Sequence, residues 1–130
     1  MLELSKDLEL DKIAKRYHLN NIMLFGSSLT DEFNEYSDID IAVLGTTPLE
    51  LDELFELEDF FENQFHRTID VVDLRSESLD FFIKVNILNT AQVIFDSDSE
   101  RMLTSLKEQV ERYYRENENF FYFRRMDVLS

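Results

Sequence analysis

The sequence predicts an α/β (α+β) fold, a small mixed β-sheet flanked by helices and built as a single domain over residues 1–130. Three observations predict it. The length of 130 residues supplies one hydrophobic core and not two. A hydrophobic fraction of 44%, with 12 Phe and 5 Tyr, belongs to a packed globule and excludes a disordered chain. Segments of helical spacing alternate with short apolar runs, without internal repeats or low-complexity linkers.

Ser5 is placed to cap a first helix whose apolar side is Leu10, Ile13, Ala14 and Tyr17, and which ends near His18. The run 21–25 reads as a short buried strand stopped by Gly26, and the loop 26–37 has room for a short helix. A second strand, 38–44, ends at Gly45 and the turn Thr46-Thr47-Pro48. Pro48 suits the first turn of a helix running to Phe65, with Leu51, Leu54, Phe55, Phe61 and Phe65 inward. Its outward face carries Glu50, Asp52, Glu53, Glu56, Glu58, Asp59 and Glu62 and no cation, which is either a solvated face or a docking surface for a basic partner.

Residues 68–74 form a third strand, and 78–89 are apolar nearly all round, as in a helix covered on more than one side. A fourth strand, 91–95, lies at an edge. Ser97 and Glu100 have capping-box spacing for a last helix with Leu103, Leu106, Val110 and Tyr113 inward. Four aromatics follow at 120–123, then Arg124 and Arg125. They either pack back on the domain or make the segment 98–130 an interaction element, because four successive aromatics cannot share one side of a helix.

The charge narrows the function. With 28 acidic against 13 basic residues the net charge is −15, a field that repels polyanions and argues against nonspecific binding to nucleic acid or anionic membrane. There is no cysteine, so disulfides and thiolate chemistry are excluded. The N-terminus mixes acids with apolar residues, unlike a signal peptide, and no apolar run approaches the roughly 18 residues of a membrane span. The expected location is the cytoplasm. His18 and His66 have no matching ligand cluster and read as surface residues or as residues with satisfied hydrogen bonds.

Against this excess of acid, Asp38 and Asp40 stand out because residues two apart on a strand share a face, while Ile39 and Ile41 point to the core. Two carboxylates held so close repel unless they share a proton or a cation, and Mg²⁺, which takes oxygen ligands and keeps phosphates in its shell, is the natural occupant. The third strand offers Asp70 and Asp73, of opposite parity; Asp70 falls beside the pair and Asp73 reads as solvated or structural. Gly26-Ser27, directly after a strand and opening a helical turn, lets backbone N–H groups approach a phosphate.

Gly26-Ser27, ten intervening residues, then Asp38-Ile39-Asp40 resembles the GS-x10-D-x-D signature of the DNA polymerase beta-like nucleotidyltransferases. The stretch SDIDIAVL (37–44) in particular resembles the minimal nucleotidyltransferases, or MNT proteins, and the likeness extends through IDVVDL (69–74) and VIFDSD (93–98). It implies the nucleotidyltransferase fold and transfer of a nucleoside monophosphate from a triphosphate, with release of pyrophosphate. On it Gly26, Ser27 and Ser37 bind nucleotide, Asp38, Asp40 and Asp70 hold two Mg²⁺ ions, and Asp70 completes the site next to the acceptor hydroxyl. Where family members often read GSRARGE, this chain reads GSSLTDE (26–32). Arg67 and Lys84 are candidate compensating cations, or else ordinary surface residues.

Many MNT proteins are antitoxins paired with a HEPN-domain ribonuclease toxin, which implies a hetero-oligomeric complex with a basic toxin and transfer of AMP from ATP to a toxin tyrosine. Two other readings compete: an antitoxin of the same fold that acts by binding alone, and nucleotidyl transfer to a small molecule, which usually needs a further substrate-binding domain.

Overall fold

The computed structural model describes residues 9–34 and 36–119. The proposed Ser5 cap and the aromatics at 120–123 lie outside them. The element order is α1 (Leu10–Tyr17), β1 (Leu19–Phe25), a 3-10 turn (Gly26–Leu29), β2 (Ile39–Gly45), α2 (Leu51–Phe65), β3 (Ile69–Asp73), α3 (Phe81–Thr90), β4 (Gln92–Asp96) and α4 (Arg101–Glu116). The four strands form one mixed sheet in the order β3-β2-β1-β4. The β1 strand runs antiparallel to β2 and β4, while β2 and β3 are parallel. The expected edge position of β4 is therefore observed.

Strand parity divides the core between the two faces of the sheet. Ile22, Leu24, Ile39, Ile41, Val43 and Val71 face α1 and α2, where Ile13, Tyr17, Leu57 and Phe61 close over them. Met23, Ala42 and Leu44 face α3 and α4, where Ile87, Leu88, Leu103 and Leu106 cover them. Each large side chain fully buried in these layers contributes about 1.5–3 kcal/mol. Tyr17 crosses from α1 to α2, its hydroxyl donating to Glu56 at 2.6 Å. Burial, and then that hydrogen bond, push its phenol up to about 12.

Local chemistry shifts several helix boundaries from their expected places. The α2 helix begins at Leu51, three residues after Pro48, because Glu50 and Glu53 form a reciprocal capping box. Its buried stripe is Leu54, Leu57 and Phe61, which leaves Leu51 and Phe55 outside at 65% and 60% exposure instead of inward. The Ser97–Glu100 capping box does not form. Ser97 instead donates to the Asn20 carbonyl, while Asp98 accepts the Met102 N–H and Asp96 the Glu100 N–H. The N–H bonds to Asp96, from Glu100 foremost and from Asp98, hold its carboxyl below its usual value. Tyr113, expected inward on α4, is half exposed but lies against the Phe81 ring at 5.4 Å. No helix among the described residues is long and apolar enough to cross a membrane.

Asp73 is structural and buried, not solvated. Its carboxylate accepts the Leu49 N–H at 2.8 Å and the Arg75 N–H at 2.9 Å, tying the end of β3 to the entry of α2. Replacing Asp73 by Ala strands both N–H groups, and urea unfolding is expected to show a loss of about 1–3 kcal/mol.

Candidate active site

Strand register assembles the acids. In the parallel ladder between β2 and β3, Asp40 lies directly opposite Asp70, and in the antiparallel ladder Asp40 lies opposite Phe25 at the end of β1. Asp40 shares its parity with Ala42 and Leu44, and Asp70 shares its own with Val72, so both belong to the sheet face covered by α3 and α4. Asp38 immediately precedes β2 and is exposed, as is Asp70, whereas Asp40 is half-buried. Carboxylates thus gather where β2 and β3 begin and β1 ends.

Gly26 closes the arrangement. Its φ of +74° lies in the left-handed region, and a Cβ there would overlap Oδ2 of Asp40. Glycine is therefore required twice, for the backbone conformation and for the approach of the turn to the carboxylate. The 3-10 turn is closed by Ser27, whose carbonyl accepts the Thr30 N–H at 3.0 Å and the Thr30 hydroxyl at 2.9 Å. Ser28, fully buried, donates to the Phe25 carbonyl at 3.2 Å. Its role in the turn has no signature in the sequence, because its partner is a backbone oxygen.

Electrostatics single out Asp40. Its carboxyl is pushed above the ordinary value first by burial, then by Asp70 and then by Asp38. The two charges acting on it are both negative, so a cation bound here would relieve a tension the fold maintains. The donor set, carboxylate oxygens alone, suits a hard ion such as Mg²⁺. Among the described residues no three acidic, His or Cys side chains form a ready metal cage. An Mg²⁺ ion held by two or three carboxylates would need its remaining oxygens from phosphate and water.

Of the other expected residues, Ser37 lies in the loop before β2, its hydroxyl accepting the Asn34 N–H at 3.1 Å. Arg67 is tied to the same loop: its Nη1 donates to the carbonyls of Asn34 at 2.5 Å and Ser37 at 3.0 Å. Lys84 is half-buried on α3, on the helix side that carries Ile87 and Leu88. His18 and His66 end α1 and α2 in left-handed conformation, and both are exposed. A shallow cleft beside the acids is lined by Tyr36, Ser37, Asp38, Glu62, His66 and Arg67.

The family described as Polymerase beta, Nucleotidyltransferase matches residues 9–100. The chain belongs to that family. The matched span contains the Gly26 turn and all three candidate acids. Comparison with curated proteins gives no match. Among solved structures, one of a toxin-antitoxin with AMP-PNP superposes with a TM-score of 0.76 at 22% identity, covering 93% of this chain and 96% of that one. A toxin-antitoxin MntA-HepT structure gives 0.71 at 21% identity, over 94% and 95% of the two chains. A tri-AMPylated HEPN toxin from Shewanella oneidensis in complex with MNT antitoxin gives 0.69 at 23%, over 94% of each. At these identities the chain shares their fold.

Asp40 yields a pH signature. An acid whose folded pKa is raised destabilises the fold once it ionises, so its cost is absent below the ordinary carboxylate pKa and grows as pH rises through the folded value. Asp40→Asn is therefore expected to melt at a higher temperature than the unaltered chain at pH 7 and to lose that advantage near pH 4. Thermal melts at the two pH values check this, and added Mg²⁺ should narrow the gap at pH 7 by stabilising only the unaltered chain.

Proposed function

We propose that the chain is a cytoplasmic MNT-type antitoxin, which transfers AMP from ATP to a tyrosine of a HEPN ribonuclease toxin and thereby neutralises it. The observation that carries this reading is the register of Asp40 opposite Asp70, with Asp38 beside them and the Gly26 backbone packed on Asp40. The fold shared with toxin-antitoxin chains, one of them solved with AMP-PNP and another bound to a tri-AMPylated HEPN toxin, supports it.

In the proposed reaction the tyrosine oxygen attacks the α-phosphorus of ATP, the bond from that phosphorus to the oxygen bridging to the β-phosphate breaks, and pyrophosphate leaves. Asp70, exposed and directly opposite Asp40, takes the proton of the attacking hydroxyl. Asp38 and Asp40 would hold Mg²⁺, which when bound supplies charge stabilisation to the transferring phosphoryl group. The turn opened by Gly26 and Ser27 presents backbone N–H groups to the triphosphate, and Ser37 lies at the rim of the same site.

A second reading, neutralisation by binding alone, is favoured by one observation. Ser28 and Thr30, where the family commonly carries Arg, are engaged in the turn, and Arg67 is engaged with loop carbonyls. The acidic face of α2, with Leu51 and Phe55 exposed on it, would then meet a basic toxin.

Co-expression with the product of the adjacent gene separates the two readings. The intact mass of that protein should rise by whole AMP units beside the unaltered chain. It should stay unchanged beside Asp38→Asn/Asp40→Asn, whose transferase rate with purified components is expected to fall at least about a hundredfold. An unmodified partner silenced equally by both forms would favour binding.

A further inference from the structure

Arg67 stands between two segments that the proposed chemistry needs in fixed relation. It follows His66, whose left-handed conformation (φ +55°) ends α2 and turns the chain toward β3, and it precedes Asp70 by three residues. Its guanidinium reaches back across the sheet end to the loop that precedes Asp38, donating to the carbonyls of Asn34 and Ser37. Its Cζ also lies 4.3 Å from the centre of the Phe33 ring, and Phe33 packs against the core between the sheet and α2.

Among its described residues the loop is also bonded to itself. Asn34 and Ser37 exchange hydrogen bonds, and the Asn34 side chain accepts the Tyr36 N–H at 2.8 Å. Among the described contacts that join it to the entry of β3, Arg67 supplies the side-chain link and the Ile39 N–H bond to the Thr68 carbonyl supplies the backbone one. From Ile39 onward the ladder and full burial of Ile39 and Ile41 fix β2 without help. Asp38 precedes that ladder, so its position depends on the loop more than that of Asp40 does.

We propose that Arg67 is a positioning residue: it locks the 33–37 loop to the start of β3 and so sets where Asp38 stands relative to Asp40 and Asp70. This rests on the reading of the three acids as a divalent-cation site. Arginine suits the task because its planar group stacks on Phe33 while an edge nitrogen serves two carbonyls. The compact ammonium of lysine can meet a carbonyl but cannot reproduce the stack.

The test is titration of Mn²⁺ into the full chain, followed by electron paramagnetic resonance, for the unaltered protein, Arg67→Lys and Arg67→Ala. Arg67→Ala is expected to weaken Mn²⁺ binding about tenfold, as loss of a residue supporting a metal ligand does, with Arg67→Lys in between. An unchanged Mn²⁺ affinity accompanied by a lower melting temperature would make Arg67 a purely structural tie and overturn the proposal, leaving the cation site itself standing. A loss of ATP-analogue binding measured without any divalent cation would make Arg67 a phosphate ligand and overturn it as well. Failure of the unaltered chain to bind Mn²⁺ would overturn both the proposal and the reading it rests on.

Discussion

The arrangement of Asp40 opposite Asp70 is one that the fold holds against electrostatic repulsion. Like charges directly across a pair of strands cost roughly 0.2–1 kcal/mol, and partial burial of Asp40 adds to that cost. Two apolar layers absorb it, since one buried Leu57 or Phe61 contributes more than the pair costs. The alternation of β2 couples the two effects: Ile39, Ile41 and Val43 lock one face into the core, and that lock leaves Asp40 no freedom to turn from its neighbour. A chain selected for stability alone would place a neutral residue at position 40.

The same constraint explains the glycine. A turn that packs its backbone on a carboxylate cannot carry a Cβ, and the left-handed φ of Gly26 sends the chain straight into the 3-10 turn. The candidate site is therefore assembled from strand ends, the loop residue that precedes β2 and the backbone of a turn, and not from long side chains. Side chains support it from outside, as Arg67 does across the loop and Asp73 does at the opposite end of β3.

Much of this was legible in the sequence, for reasons of periodicity. A spacing of two on a strand fixes a common face, so Asp38, Asp40 and the buried isoleucines could be sorted from parity alone. Asp70 and Asp73 could be told apart in the same way. Strand limits came within two residues of the observed ones because apolar runs end where the sheet ends. Helix starts were less legible. Pro48 signalled a beginning that Glu50 and Glu53 delayed, and Asp96 and Asp98 took the capping work expected of Ser97 and Glu100. The phase of α2 is not legible in the sequence because Leu51 and Phe55 offer a rival apolar stripe, which only the sheet beneath Leu57 rejects. The roles of Arg67 and Ser28 left no trace, since their partners are backbone carbonyls and no side-chain pattern reports those.

A crystal structure of the chain grown with Mg²⁺ and a non-hydrolysable ATP analogue tests the central claim most directly. If the three acids act together, metal density will lie on Asp38 and Asp40, with the α-phosphate within reach of Asp70 and the triphosphate along the turn that begins at Gly26. Nucleotide bound elsewhere, or bound at the turn while the carboxylates hold no metal, would contradict it.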